Sequence, residues 1–449
     1  MRNKKNSVQQ MADAPVKTLI LQYAAVTLSA LLLNAVYTLT DALFVSWGVG
    51  SRAMGGVSVV FPFVILQGAI ATALGGGAAS IVSRKLGEGD LEEAGRTTIS
   101  ATAAFYMSAL FLSLIGFLAM DPILHLMGVT GDLYADAKAY FTILLAGNVF
   151  STGFSAIIRA EGRMTYSLLI WVIPISVNIA LDALFILGLG WGVRGAALAT
   201  VACQFVSFCM SILFFTRLSS QHMRGQRPNM RRIGEILAIG LPSLVQMGSL
   251  SIISMLLNNL LGNVSGSAGV TAYAYMSKVF ALLIVPFTAM AQAVSPVVGF
   301  NHGAGKPERV HEAIRFSVWV CVLYSLAAVA IAELLPKQML RLMTDDAQAI
   351  LNGTNGLRIF ALAIPFLPLP SLLGAEYQAM GEKTSALILY GANLVLLLPA
   401  AMLFSHIFGE DGIWWSYVLA ALLTTLLAFI VMRVKAKNNK AAGGTGRSN

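Results

Sequence analysis

Charge is scarce in this chain. Asp, Glu, Lys and Arg make up 11% of its 449 residues, where soluble proteins carry about 25%, so a fully water-exposed surface cannot be built from it. Cysteine is scarcer still. The three present, Cys203, Cys209 and Cys321, fall in apolar stretches without metal-type spacing, which excludes a disulfide framework and leaves them as small core residues. The five histidines, His125, His222, His302, His311 and His406, sit in loops or at the ends of apolar segments. His311-Glu312 has no second histidine to complete a zinc-binding helix. No GxxxxGK[ST] loop occurs, and Gly75-Gly76-Gly77 lies inside an apolar segment, where small residues let helices approach closely. Enzymatic chemistry, a cofactor and nucleotide hydrolysis therefore have no support in the residues.

Apolar residues are what the chain has in abundance, at 57%. Runs of about 20 such residues, the length that crosses a bilayer, mark twelve segments: 18–46, 53–82, 97–119, 134–157, 164–187, 193–216, 234–261, 268–299, 313–335, 351–375, 384–406 and 412–432. The expected fold class is an all-α polytopic membrane protein. Its formal charge of +9 comes from basic residues in short loops and at both ends, with no basic aromatic groove, so nucleic acid is not an expected partner. Of the 30 Lys and Arg residues, 23 fall in the two tails and every second loop, 6 fall in the opposite loops, and Lys278 lies inside a segment. That asymmetry places both termini in the cytoplasm of a cell inner (plasma) membrane protein. The polar start, MRNKKNSVQQMADAPVK, reads as a cytoplasmic tail rather than a cleaved signal.

The longest basic linker divides the segments six and six. The expected organisation is a tail at 1–17, a first six-helix lobe at 18–216, a linker at 217–233, a second six-helix lobe at 234–432 and a basic tail at 433–449. Internal echoes support a duplication. LGEGDLEEA at 86–94 and HGAGKPERV at 302–310 share a Gly-x-Gly turn at an offset of 216 residues, and Arg159-Ala-Glu-Gly162 pairs with Gln378-Ala-Met-Gly381. Gly-x-Gly alone is also common turn chemistry, but two echoes in matching places favour true repetition.

Two acidic residues, Asp41 and Asp182, lie within apolar segments rather than in loops or at segment ends. A carboxylate in the membrane is costly and usually faces a protein cavity. Asn34, Tyr37 and Asp41 recur at spacings of three and four, which puts them on one helix face, as do Asn178 and Asp182, with Trp171 two turns earlier, and Thr200 with Gln204. Such stripes could be structural glue, but packing devices more often use uncharged groups. A cation-coupling site of Asp41, Asn178, Asp182 and Thr200 follows, taking H+ or Na+, with no other metal expected. The substrate cavity is expected to use Asn34, Tyr37, Trp171, Gln204, Tyr273 and Lys278. For Lys278, cavity-facing and simple packing roles fit equally well. The second half has no deep carboxylate, only Glu235, Glu333 and Glu376 near segment ends.

Asp41-x-x-x-Val45, Arg159-Ala-Glu-Gly162, Asn178-x-x-x-Asp182-x-x-Phe185, the stretch from Trp191 to Thr200 and the loop Gly299-Phe300-Asn301-His302-Gly303-Ala304 together resemble the multidrug and toxic compound extrusion (MATE) family, closest to its DinF- and MepA-like branch. The resemblance implies a V-shaped twelve-helix exporter, expected to act as a monomer, that expels cationic or amphipathic drugs in exchange for H+ or Na+. Carried over, its first-lobe cation site corresponds to Asp41, Asn178, Asp182 and Thr200. Two departures stand out. The seventh segment offers Gln246 where the NorM-like branch has an acid, and no proline lies between Lys17 and Trp47, where some relatives have one. A lipid-linked oligosaccharide flippase of the same superfamily is the alternative transporter, and would call for extra spans or a strongly cationic cavity. A non-transporting membrane scaffold is the alternative of another class.

Overall fold

The computed structural model describes residues 2–49, 51–126 and 134–444. The first residue of the N-terminal tail and residues 445–449 of the C-terminal tail lie outside the described residues. Helices follow one another as α1 (Arg2–Asp13), α2 (Val16–Gly48), α3 (Ser51–Glu88), α4 (Leu91–Leu118), α5 (Met120–Leu126), α6 (Tyr134–Gly147), α7 (Phe154–Ala160), α8 (Met164–Asp182) and α9 (Gly192–Leu213). The remainder are α10 (Met230–Gly303), α11 (Pro307–Leu334), α12 (Pro336–Arg341), α13 (Ala347–Ala361), α14 (Pro368–Ala379) and α15 (Lys383–Gly444). No strand occurs among the described residues.

Nine of these stretches are long and apolar enough to cross a membrane among the described residues, and a tenth is the pair α13–α14, bent by 42°. Two of the nine are too long to be single spans. A straight helix of the 74 residues of α10 would run about 110 Å at 1.5 Å per residue, against a hydrocarbon core of about 30 Å. It breaks at Gly266, whose φ of 62° is non-helical, and α15 breaks likewise at Gly409, φ 61°. Divided there, the helices give the twelve spans expected from the apolar runs. Positive φ is the region in which a side chain is strained and glycine is not.

The same property settles what the repeated turns have in common. Gly89 and Gly305, partners in the first echo, have φ of 82° and 67°, and Gly162 and Gly381, partners in the second, have 73° and 84°. Equivalent positions of the two halves thus adopt the same rare backbone conformation.

Two compact units result. The first comprises residues 1–244 with 296–309 and 379–381, and the second the rest. Glycines let backbones touch inside the first unit. A Cβ on Gly77 would stand 2.1 Å from the Ile236 carbonyl oxygen, and one on Gly240 would stand 2.1 Å from that of Ala73, so α3 and the start of α10 meet through small residues. Arg309 ties the N-terminal arm to the same unit. Its Nη2 donates to the carbonyls of Met11 and Ala14 at 3.2 and 2.7 Å, while Nε donates to Asn301 Oδ1 at 2.9 Å.

The loop after α7 is anchored by Glu161, which is fully buried. Its carboxylate accepts from Ser219 Oγ at 2.6 Å, Gln221 Nε2 at 2.7 Å and the Ser220 N–H at 2.9 Å, so it fixes the start of the basic linker. Burial pushes this carboxyl above its ordinary range, against the opposing pull of those hydrogen bonds and of Arg163. In the second unit the core is aromatic. Phe360 packs on Tyr417 at 4.2 Å and Phe280 at 4.5 Å between ring centroids, with the buried Trp414 beside them.

Gly240→Ala should destabilise the detergent-solubilised protein by about 1–3 kcal/mol, because backbone must move to admit the methyl group. Gly234→Ala, with nothing within 4 Å, should be neutral or stabilising by up to about 1 kcal/mol. Thermal melts of the two variants check the contrast. Glu161→Ala should cost about 1–3 kcal/mol in the same assay by stranding three donors.

Candidate functional site

The first unit gathers four spans around one buried polar cluster. Its hydrophobic frame includes Val45 of α2, Phe63 of α3, Phe141 of α6 and Ala196 and Ala197 of α9, together with Ile186. Glycines again set the distances. A Cβ on Gly48 would lie 2.3 Å from the Ile186 side chain, and one on Gly147 would lie 2.3 Å from that of Val201. The ends of α2 and α6 are thereby drawn against the segment after α8 and against α9.

Asp182 ends α8, and the next residues, Ala183–Gly188, form a π-helical turn in which the Leu189 N–H donates to the Leu184 carbonyl at 2.8 Å. Such wide turns recur at functional sites because they redirect side chains and free backbone groups. Ring stacking of Phe185 on Trp191, 4.9 Å between centroids, holds the turn.

Asp41 of α2 and Asp182 come together, their carboxyl groups close enough to hydrogen-bond through a shared proton. Asp182 and Asn178, one turn apart on α8, are completely buried. Both hydroxyls of Tyr37 and Tyr140 reach the Thr200 side chain, whose Oγ1 donates to the Ala196 carbonyl at 3.1 Å. Cys203 stands beside the two carboxyl groups.

Buried polar atoms without a hydrogen-bond partner concentrate here. Among the described residues they include Asp41 Oδ1, both carboxylate oxygens of Asp182, both terminal atoms of the Asn178 amide and Gln204 Oε1. Leaving such groups unmatched costs free energy, so a cluster of them marks a place built to receive something. Apart from the Asn178 nitrogen these atoms are oxygens, which suit a proton or a hard cation. Two carboxylates in contact, away from water, cannot both remain charged without a positive partner.

The cluster thus unites Asp41, Asn178, Asp182, Thr200, Tyr37 and Gln204, all singled out by spacing. Asn34 sits half-buried on the same stripe of α2, and Trp171 is exposed on α8, two turns from Asn178. Tyr273 and Lys278 belong to the second unit. Tyr273 is buried against Trp414, 6.0 Å between ring centroids, and turns its hydroxyl to Ser254, whereas Lys278 is exposed with Nζ 5.8 Å from the Tyr275 ring centroid. The sequence reading missed Tyr140 and took Cys203 for a small core residue without linking it to the cluster. An aromatic hydroxyl within an apolar run was the available signal for Tyr140, but its one polar neighbour at helical spacing, Asp136, lies at the segment's end, so no stripe stood out.

Comparison with known proteins agrees in fold and family. The MatE family model matches residues 27–184 and 242–403. Multidrug export protein MepA of Staphylococcus aureus is 22% identical over 428 residues, which cover 93% of this chain and 94% of that protein. The protein of the same name from Staphylococcus saprophyticus is 22% identical over 408 residues, 89% and 90% of the two chains. Among solved structures, an outward-facing multidrug resistance MATE family transporter of the MOP superfamily superposes with a TM-score of 0.89 at 26% identity, covering 97% of this chain and 99% of that one. A MOP superfamily transporter from Pyrococcus furiosus, described as having reverse polarity of its binding pocket, gives 0.89 and 26%, with 97% and 98% covered. With twelve apolar spans, the duplicated turns and a family match that reaches into both halves, this chain is a multi-pass membrane transporter, not an enzyme, and belongs to the MatE family.

Proposed function

We propose that this transporter is a cation-coupled antiporter that exports bulky organic, often cationic, compounds across the plasma membrane in exchange for H+ or Na+. The observation that carries the reading is the contact between Asp41 and Asp182 among unmatched buried oxygens. The multidrug export described for the MepA relatives supports the class of cargo. Both termini lie in the cytoplasm on this reading, as the distribution of Lys and Arg requires.

The exchange follows from charge. With the carboxyl pair unneutralised, the first unit attracts a positive substrate, and Tyr37 and Trp171 offer aromatic surface to it. Arrival of a proton or Na+ from outside at Asp41 and Asp182 cancels that attraction, and the substrate leaves. Asn178 and Thr200 contribute neutral oxygens: they hydrogen-bond a protonated acid or complete the shell of Na+. Binding of ion and substrate is therefore mutually unfavourable, and a gradient of one drives the other by linkage.

Proteoliposomes loaded with ethidium separate the ions when proton and sodium gradients are imposed one at a time. One gradient should drive efflux by the wild-type protein, and Asp41→Asn should reduce that efflux at least about tenfold while leaving the amount of folded protein unchanged. Efflux by Asp41→Asn at the wild-type rate removes the carboxyl pair from the mechanism. Tyr140→Phe, which deletes one neutral hydrogen bond to Thr200, should weaken the coupling ion's apparent affinity about fivefold, read from the ion concentration at half-maximal efflux.

A further inference from the structure

The seventh span, the part of α10 before Gly266, borders an open groove of about 760 Å³ in the second unit. Its lining falls on one helix face: Leu250, Ser251, Ser254, Met255, Asn258 and Asn259. Spacings of three and four residues bring these side chains into line. Four of the six are neutral hydrogen-bonding groups, two are apolar, and none is charged. Ser251, Asn258 and Asn259 are exposed although they lie within the span. Carboxamides facing hydrocarbon would be costly, so this face belongs to a water-accessible surface.

The internal repeat gives the face its meaning. The offset of 216 residues that relates Gly89 to Gly305 carries Asp41 onto Leu257 and Thr38 onto Ser254. Where the first span has a carboxylate, that offset falls on the buried Leu257, and exposed carboxamides follow at the next two positions, Asn258 and Asn259. The face is also held in place from behind, because Tyr273, buried in the aromatic core, turns its hydroxyl to Ser254.

We propose that Ser251, Ser254 and Asn258 form a substrate subsite for uncharged hydrogen-bonding groups, such as hydroxyl, carbonyl or amide, of amphipathic compounds whose apolar bodies rest on Leu250 and Met255. Hydroxyls and a carboxamide both donate and accept, so the subsite takes either polarity of hydrogen bond. Being neutral, it does not respond directly to the ion held by the carboxyl pair. This inference rests on the exporter reading above and names the chemistry of part of its cargo.

Direct binding to purified full-length protein in lipid nanodiscs tests it with two probes. Chloramphenicol carries hydroxyl and amide groups; tetraphenylphosphonium is a cation with no hydrogen-bonding group. In the double variant Ser254→Ala with Asn258→Leu, the Kd for chloramphenicol should rise about tenfold, as expected from losing two neutral hydrogen bonds. The Kd for tetraphenylphosphonium should change by less than about twofold, which also reports that the variant is folded. Asn258→Gln alone should keep most of the chloramphenicol affinity. Unchanged chloramphenicol binding by the double variant, or equal loss of both probes, overturns the subsite and leaves the exporter reading standing. Wild-type protein that binds neither probe contradicts the exporter reading itself.

Discussion

Two carboxyl groups pressed together inside an apolar bundle are the constraint around which the first unit is arranged. Asp41 and Asp182 come from spans far apart in the chain, and among the described residues no basic group acts on either. On the proposed reading, a proton or Na+ relieves the repulsion of two carboxylates held so close in an apolar bundle. The packing around them holds that geometry against the repulsion. Gly48 and Gly147 let α2 and α6 close in, the π-helical turn after Asp182 redirects the end of α8, and Phe63 and Phe141 meet edge to face at 4.8 Å. Stability and function are thus in tension at one place, which is common at sites that bind ions.

The duplicated architecture shows where the two halves stayed alike and where they parted. Turn glycines at equivalent positions share left-handed backbone, a requirement of the chain path itself. Side chains facing inward were free to differ. The first span has Asp41, whereas the corresponding stretch of the seventh has Leu257 beside Asn258 and Asn259. On the proposed reading the carboxyl pair of the first unit is the ion site, and the stretch of the seventh span at Leu257–Asn259 offers no carboxylate.

Much of the molecule was legible in the residues because lipid imposes a simple rule: a helix that crosses must be apolar for about 20 residues. The twelve runs followed from it. Polar residues that break the rule were equally visible, and Asn34, Tyr37, Asp41, Asn178, Asp182, Thr200 and Gln204 stand out for that reason. Packing was less accessible. Tyr140 joins the cluster only because α6 lies beside α9, a tertiary fact that no spacing along one helix encodes. The assignment of residues 296–309 and 379–381 to the first unit likewise depends on which backbones touch, as Ser80 Oγ donating to the Ala379 carbonyl at 3.1 Å illustrates. The wide turn after Asp182 left no signature in composition at all.

Displacement of a cation by cargo is the measurement closest to the central claim. Purified transporter equilibrated with 22Na+, or held in unbuffered solution beside a pH electrode, should release about one cation for each molecule of ethidium bound, and Asp182→Asn should release none. Stoichiometric ethidium binding with no ion displaced, in either form of the experiment, would contradict the account.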